Sequence, residues 1–84
     1  MQQDSSAMTL LSRMRPGEQG IVQAYERTLS FHVRLKELGL IRGASVRVER
    51  LSPLGDPMEI CVRGSRLSVR KKDADFILIR KEKV

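Results

Sequence analysis

Between Ser30 and Arg70 the hydrophobic period of the chain changes, and the change marks its elements. Phe31, Leu35 and Leu38 recur at i, i+4 and i+7, one stripe of a helix. Ser30 ahead of that stripe predicts an N-cap whose hydroxyl accepts a backbone N–H two or three residues on. Gly39 stands where a left-handed residue ends a helix, and Leu40 follows, set to touch Leu35 as in a Schellman ending. The period then falls to two. Val46 and Val48 alternate with Arg47 and Glu49 inside a strand expected over 44–51, so Arg47 and Glu49 are expected to face water. Met58, Ile60 and Val62 alternate with Glu59, Cys61 and Arg63, and Leu67 and Val69 with Arg66, Ser68 and Arg70. Gly64-Ser65 between these two runs predicts a two-residue type II′ hairpin.

Upstream the signal is weaker. Ile21, Val22, Ala24 and Tyr25 fall in a strand expected over 20–27 but do not alternate, so its buried face stays open. Met8, Leu10, Leu11 and Met14 are expected to cover one end of a barrel, ahead of a Pro16-Gly17 turn. Downstream, Lys71 to Asp75 suits a single helical turn, and Phe76-Ile77-Leu78-Ile79 a last, mostly buried strand. Residues 1–7 read as a disordered lead-in, 8–80 as the folded domain and 81–84 as a charged tail. Together these elements predict a mainly β fold: a small barrel of about five strands with one short α-helix before the second strand. An OB-fold usually carries its helix between the third and fourth strands, so the order favours an SH3-like barrel.

Composition narrows the function classes. A chain of 84 residues holds one domain with little room for an active-site cleft. Sixteen Lys and Arg against ten Asp and Glu leave a net charge of +6, which suits an acidic protein surface, a nucleic acid or an anionic membrane. Cys61 is the single cysteine, so no internal disulfide can form, and a cytoplasmic location is expected. The amino end is not expected to act as a secretory signal, and no apolar run approaches membrane-spanning length. Gly39 and Gly43 do not make a phosphate-cradling loop, so the chain is not expected to bind GTP itself. No residue set predicts an enzyme.

Four places are candidates for binding. Pro53, Leu54, Gly55, Asp56 and Pro57 form a loop stiffened by two prolines, with Leu54 as an apolar anchor at its tip; the competing reading is a plain hairpin connection. Arg63, Arg66, Arg70, Lys71 and Lys72 are expected to gather into a basic face that meets acidic protein or phosphate, or simply stays solvated. His32 is a candidate metal ligand, but lacks CxxC or HxxxH spacing to Glu37, Asp56, Glu59 or Cys61 and reads first as a surface histidine. Cys61 falls on the outer face by strand parity, and is read as a small apolar side chain tucked under a neighbouring loop.

Several spaced motifs coincide in this chain. They are Leu11-x-x-Met14-Arg15-Pro16-Gly17-Glu18, then Arg34-Leu35-x-Glu37-Leu38-Gly39-Leu40-x-x-Gly43, then Pro53-Leu54-Gly55-Asp56-Pro57, and Leu67-x-Val69-Arg70 before Asp73-Ala74. Over 8–79 the chain resembles the FeoA family, ferrous iron transport protein A. The resemblance implies a small cytoplasmic SH3-like barrel working as a non-enzymatic accessory of FeoB, a membrane transporter with a cytoplasmic G-domain. No cofactor is expected to be required; the one possibility is a weakly bound divalent transition metal, held by His32 with a carboxylate in a site shared between chains. Related barrels close some metal-dependent repressors, but no helix-turn-helix pattern is present here. The alternative is a small basic nucleic-acid-binding barrel. It is disfavoured because Tyr25, Phe31 and Phe76 are the sole aromatics and the two phenylalanines are expected to be buried. Proline-rich peptide recognition lacks its aromatic groove for the same reason.

Overall fold

The computed structural model describes residues 7–82. Six strands, β1 (Met8–Leu10), β2 (Gln19–Tyr25), β3 (Ser45–Leu51), β4 (Met58–Val62), β5 (Ser65–Val69) and β6 (Ile77–Glu82), form one antiparallel sheet in the order β1-β6-β2-β3-β4-β5. Helix α1 (His32–Glu37) lies between β2 and β3, the short α2 (Lys71–Ala74) between β5 and β6, and a 3-10 turn (Leu11–Arg13) follows β1. The sheet wraps round a core of small β-branched side chains. Val22, Val46, Val48, Ile60, Ile77 and Ile79 are fully buried, each worth roughly 1.5–3 kcal/mol of transfer free energy. Leu11 and Met14 close one end of it, as the sequence predicts, and Ala74 of α2 packs there as well.

The sixth strand is the element that the sequence misses. Met8–Leu10 pairs with β6, Met8 opposite Arg80 and Leu10 opposite Leu78, and Met8 itself is exposed. Three residues are too few to show a period. β6 also runs past Arg80, so Lys81 and Glu82 belong to the sheet instead of to a tail; Lys81 N–H donates to the Ala7 carbonyl at 2.9 Å. Residues 1–6 of the expected lead-in, and 83–84 of the expected tail, lie outside the described residues.

A bulge explains why β2 does not alternate. Val22 pairs with Ile79 and Ala24 with Leu78, so Gln23 is an extra residue that flips the parity of the rest of the strand. Before the bulge Val22 points inward; after it Ala24 is exposed and Tyr25 half-buried. A second bulge at Glu49 lies between the Val48–Ile60 and Arg50–Glu59 pairs of β3 and β4. At the start of β2, Gly20 lets strands approach closely: a Cβ there would meet the Arg80 carbonyl oxygen at 2.5 Å and Ile79 Cγ2 at 2.6 Å.

The helix ends as predicted and begins otherwise. Leu40 N–H donates to the Leu35 carbonyl and Gly39 N–H to that of Lys36, both at 3.0 Å, with Gly39 at φ 109°, which is the Schellman pattern. At the other end Ser30 makes no side-chain cap, and the residue before the first helical one is Phe31. The Leu29 N–H that precedes the helix goes to His32 Nδ1 at 2.9 Å instead. The buried stripe is therefore His32 and Leu35, while Phe31 (41% exposed) and Leu38 face out. Phe76, also expected to be buried, is half-buried.

The β4–β5 turn falls one residue earlier than predicted. Val62 pairs with Ser65, and the loop residues Arg63 and Gly64 have φ of 53° and 80°. Two positive φ values make a type I′ turn, the form that matches the twist of its strands, in place of the expected II′ at Gly64-Ser65.

Candidate functional site

The loop between β3 and β4 is pinned from inside and bare at its tip. Gly55 N–H donates to the Ser52 carbonyl at 2.7 Å, and both Ser52 N–H (3.2 Å) and Ser52 Oγ–H (2.8 Å) donate to the carbonyl of Pro57. Asp56 Oδ1 accepts the N–H of Lys71, the first residue of α2, at 3.0 Å, which ties the loop to the next element. The Lys71 ammonium lies over Gly55, where a Cβ would come within 3.5 Å of Nζ. On this frame Leu54 is 95% exposed and both flanking prolines are exposed. Beside the loop a cleft of ≈ 430 Å³ is lined by Leu51, Pro53, Pro57 and Ser68, with the Arg50 and Glu59 pair (3.4 Å) across β3 and β4.

The basic residues are spread along the β4–β5 hairpin and past it: Arg66, Ser68 and Arg70 are exposed at alternating positions, with Arg63 at the turn and Lys71 and Lys72 beyond the other end. Arg63 sits on the β4–β5 turn with its side chain against Gly39 at the end of α1, since a Cβ on Gly39 would meet Arg63 Cδ at 2.7 Å. Arg66 stands on β5 opposite Cys61, which in turn stands opposite Arg47. Arg70 precedes α2 and, with Lys71 and exposed Lys72, lies on the loop side. The hairpin thus separates Arg63 from the 53–57 loop by the length of β4. Cys61 is a free, half-buried thiol on the outer sheet surface between these arginines.

His32 is 0% exposed, so the surface-histidine reading is wrong. Its Nδ1 accepts from Leu29, and its Nε2 lies 2.9 Å from the Asp73 carbonyl oxygen, which fixes Nε2 as the donor. Tyr25, Phe31 and Phe76 surround the ring at centroid distances of 5.0, 4.5 and 5.6 Å. Asp73 Oδ1 nearby is buried with no hydrogen-bond partner. Among the described residues no three His, Cys, Asp or Glu side chains come together to hold a metal ion.

A second opening, at the Gln23 bulge, escaped the sequence reading. Gln23, Tyr25, Thr28, Lys36, Ile41 and Arg42 line a cleft of ≈ 310 Å³. Lys36 and Arg42 stand at unspecified positions of the Arg34–Gly43 motif, and the bulge that brings Gln23 alongside them is set by pairing with β6. One charge is held nearer the sheet ends: Lys81 Nζ donates to Glu18 Oε2 at 2.9 Å, and Arg15 N–H to Glu18 Oε1 at 2.9 Å, which together hold the Glu18 carboxyl below its ordinary range.

The architecture defines a class, the small SH3-like β-barrel. Within that class the chain belongs to the FeoA family, whose FeoA domain profile matches residues 9–81. It is 30% identical over 64 residues to a protein of Porphyromonas gingivalis described as an Fe(2+) transport protein A/Fe(2+) transporter FeoB fusion. That match takes in 76% of this chain and 8% of the relative's length. A crystal structure of an iron uptake regulatory protein (FeoA) superposes with TM-score 0.81 at 33% identity, covering 90% of this chain and 100% of that one. The zinc complex of Stenotrophomonas maltophilia FeoA, described as a prokaryotic SH3 domain protein, shares the fold with TM-score 0.76 at 23% identity, covering 89% and 96%. The family is a small domain associated with ferrous iron transport. No helix among the described residues is long and apolar enough to cross a membrane.

Proposed function

We propose that this chain is a non-enzymatic accessory of ferrous iron uptake that docks on the cytoplasmic part of a FeoB-type transporter. The observation that carries the reading is Leu54, 95% exposed on a loop held by three internal hydrogen bonds and a fourth to Lys71. A preorganised loop loses little entropy on binding, and a bare leucine beside a cleft gains transfer free energy when a partner pocket covers it. A relative in which transport protein A and FeoB share one polypeptide supports the choice of partner. The net charge of +6 favours an acidic surface on that partner.

The reading gives His32 no part in metal binding, because both ring nitrogens are spent inside the fold. A nucleic-acid role gains little from the exposed Phe31, whose ring packs on His32, or from Tyr25, whose hydroxyl donates inward to the Leu40 carbonyl at 2.7 Å.

Calorimetric titration against the G-domain and against the intact transporter tests the proposal. Binding is expected with at least one of them, weakened roughly tenfold by Leu54→Ala, a hot-spot truncation of about 1.4 kcal/mol. The thermal midpoint of that variant should stay at the parent value, since Leu54 is not in the core. Absence of binding to both targets, or equal binding by Leu54→Ala, overturns it.

A further inference from the structure

The cleft at the Gln23 bulge shares no residue with the one beside the 53–57 loop. It flanks the residues that lead into β3, whereas the loop leaves β3 at its other end. Two cations line it and no acid does. Among the described residues the ion pairs are Arg34–Glu37, Arg47–Glu49, Arg50–Glu59 and Lys81–Glu18, so neither Lys36 nor Arg42 has a carboxylate within 4.0 Å.

Lys36 is also held in place. Its Nζ donates to Thr28 Oγ1 at 3.0 Å and lies 4.5 Å from the centroid of the Tyr25 ring. The hydroxyl takes one ammonium hydrogen and leaves two for a ligand. A lysine already ordered loses less side-chain entropy when an anion arrives. The Tyr25 hydroxyl is turned to the Leu40 carbonyl, and Ile41, at the rim, is an exposed apolar side chain close in sequence to exposed Leu38. The lining thus sets an apolar wall beside two cations.

We propose that this cleft binds a carboxylate carried by an acidic and apolar segment of a partner polypeptide. A glutamate would set its carboxylate between Lys36 and Arg42 with its methylenes along the Tyr25 ring, and an apolar neighbour would cover Ile41. Charge complementarity selects this occupant, since the cleft holds two cations that have no carboxylate partner among the described residues, on a chain of net charge +6. A phosphate fits less well, because no glycine-rich loop or helix N-terminus contributes convergent N–H groups here, and an apolar wall has no use for it. The volume of ≈ 310 Å³ stands near the lower end of ligand sites, about 300–1,000 Å³, and suits one or two side chains.

The test uses the isolated chain, so it stands or falls separately from docking on a transporter. Isotope-labelled protein is titrated by NMR with a capped Leu-Glu-Leu peptide, its Leu-Gln-Leu counterpart and inorganic phosphate at matched ionic strength. Saturable amide shifts are expected at Gln23, Thr28, Lys36 and Arg42 with the acidic peptide, with affinity roughly fivefold weaker for the other two probes. Lys36→Gln should lose the response while keeping a folded spectrum, and Arg42→Gln should weaken it several-fold. The proposal is overturned by no saturable shift at these residues, by an equal response to the glutamine peptide, by phosphate binding as tightly, or by a response that both variants leave intact.

Discussion

Each nitrogen of the His32 ring bonds a part-buried backbone group, the Leu29 N–H on one side and the Asp73 carbonyl on the other. The ring therefore joins α1 to α2, and it fills the space between Tyr25, Phe31 and Phe76. His32→Ala removes this volume and orphans both groups, a loss of about 3 kcal/mol. Urea unfolding should show a lower midpoint with an unchanged slope, and His32→Phe should recover part of the packing but not the bonds. A midpoint unchanged in His32→Ala would mean that the ring contributes nothing to stability. The role was not legible in the sequence, because counting apolar positions anchors the helical stripe on Phe31 and leaves no place for a polar core residue. Leu54, by contrast, was legible as a bare tip: two prolines and a glycine around it leave no partner strand to cover it.

At the scale of elements, structure encoded over a few residues was readable, and structure that needs a distant partner was not. The end of α1 depends on Leu35 to Leu40 alone, and its predicted hydrogen bonds are those observed. The β2 bulge depends on how β6 lies against it, and the type I′ turn on which residues of β4 and β5 pair, so neither could be placed from the run itself. Tyr25, just past the bulge, links β2 to the residues after α1 through its bond to the Leu40 carbonyl. Burial pushes its phenol up to about 12 from the ordinary 10, because the phenolate loses solvation. A raised value means stability that is fully present below pH 10 and is lost as pH rises toward 12. Since Tyr25 is the single tyrosine, phenolate absorbance reports it alone. Its midpoint should lie near 12 in the folded protein and near 10 in denaturant. Tyr25→Phe should cost about 1 kcal/mol at neutral pH and flatten the decline across that window.

The molecule as a whole carries its excess positive charge dispersed over separate places: the β4–β5 turn, the β5 surface, the start of α2 and the bulge cleft. The course of the sheet makes it so. In the linear chain Arg63 to Lys72 run together as one cluster, whereas a hairpin and a wrapped sheet distribute them around a body with a radius of gyration of 12.1 Å. A dispersed field of one sign draws an acidic partner from any approach but does not hold it, since exposed pairs contribute at most about 1 kcal/mol each. On the docking proposal, holding falls to Leu54 and the cleft beside it. The two contributions should separate kinetically in a complex with a FeoB-type transporter. Raising salt from about 0.05 to about 0.5 M shortens the Debye length from near 14 Å to near 4 Å, and the association rate should drop roughly tenfold with little change in dissociation. Leu54→Ala should do the reverse, speeding dissociation roughly tenfold while association stays within about twofold. Stopped-flow mixing measures both rates on the same samples. A salt effect on dissociation alone, or a Leu54→Ala effect on association alone, would place the recognition surface elsewhere on the barrel.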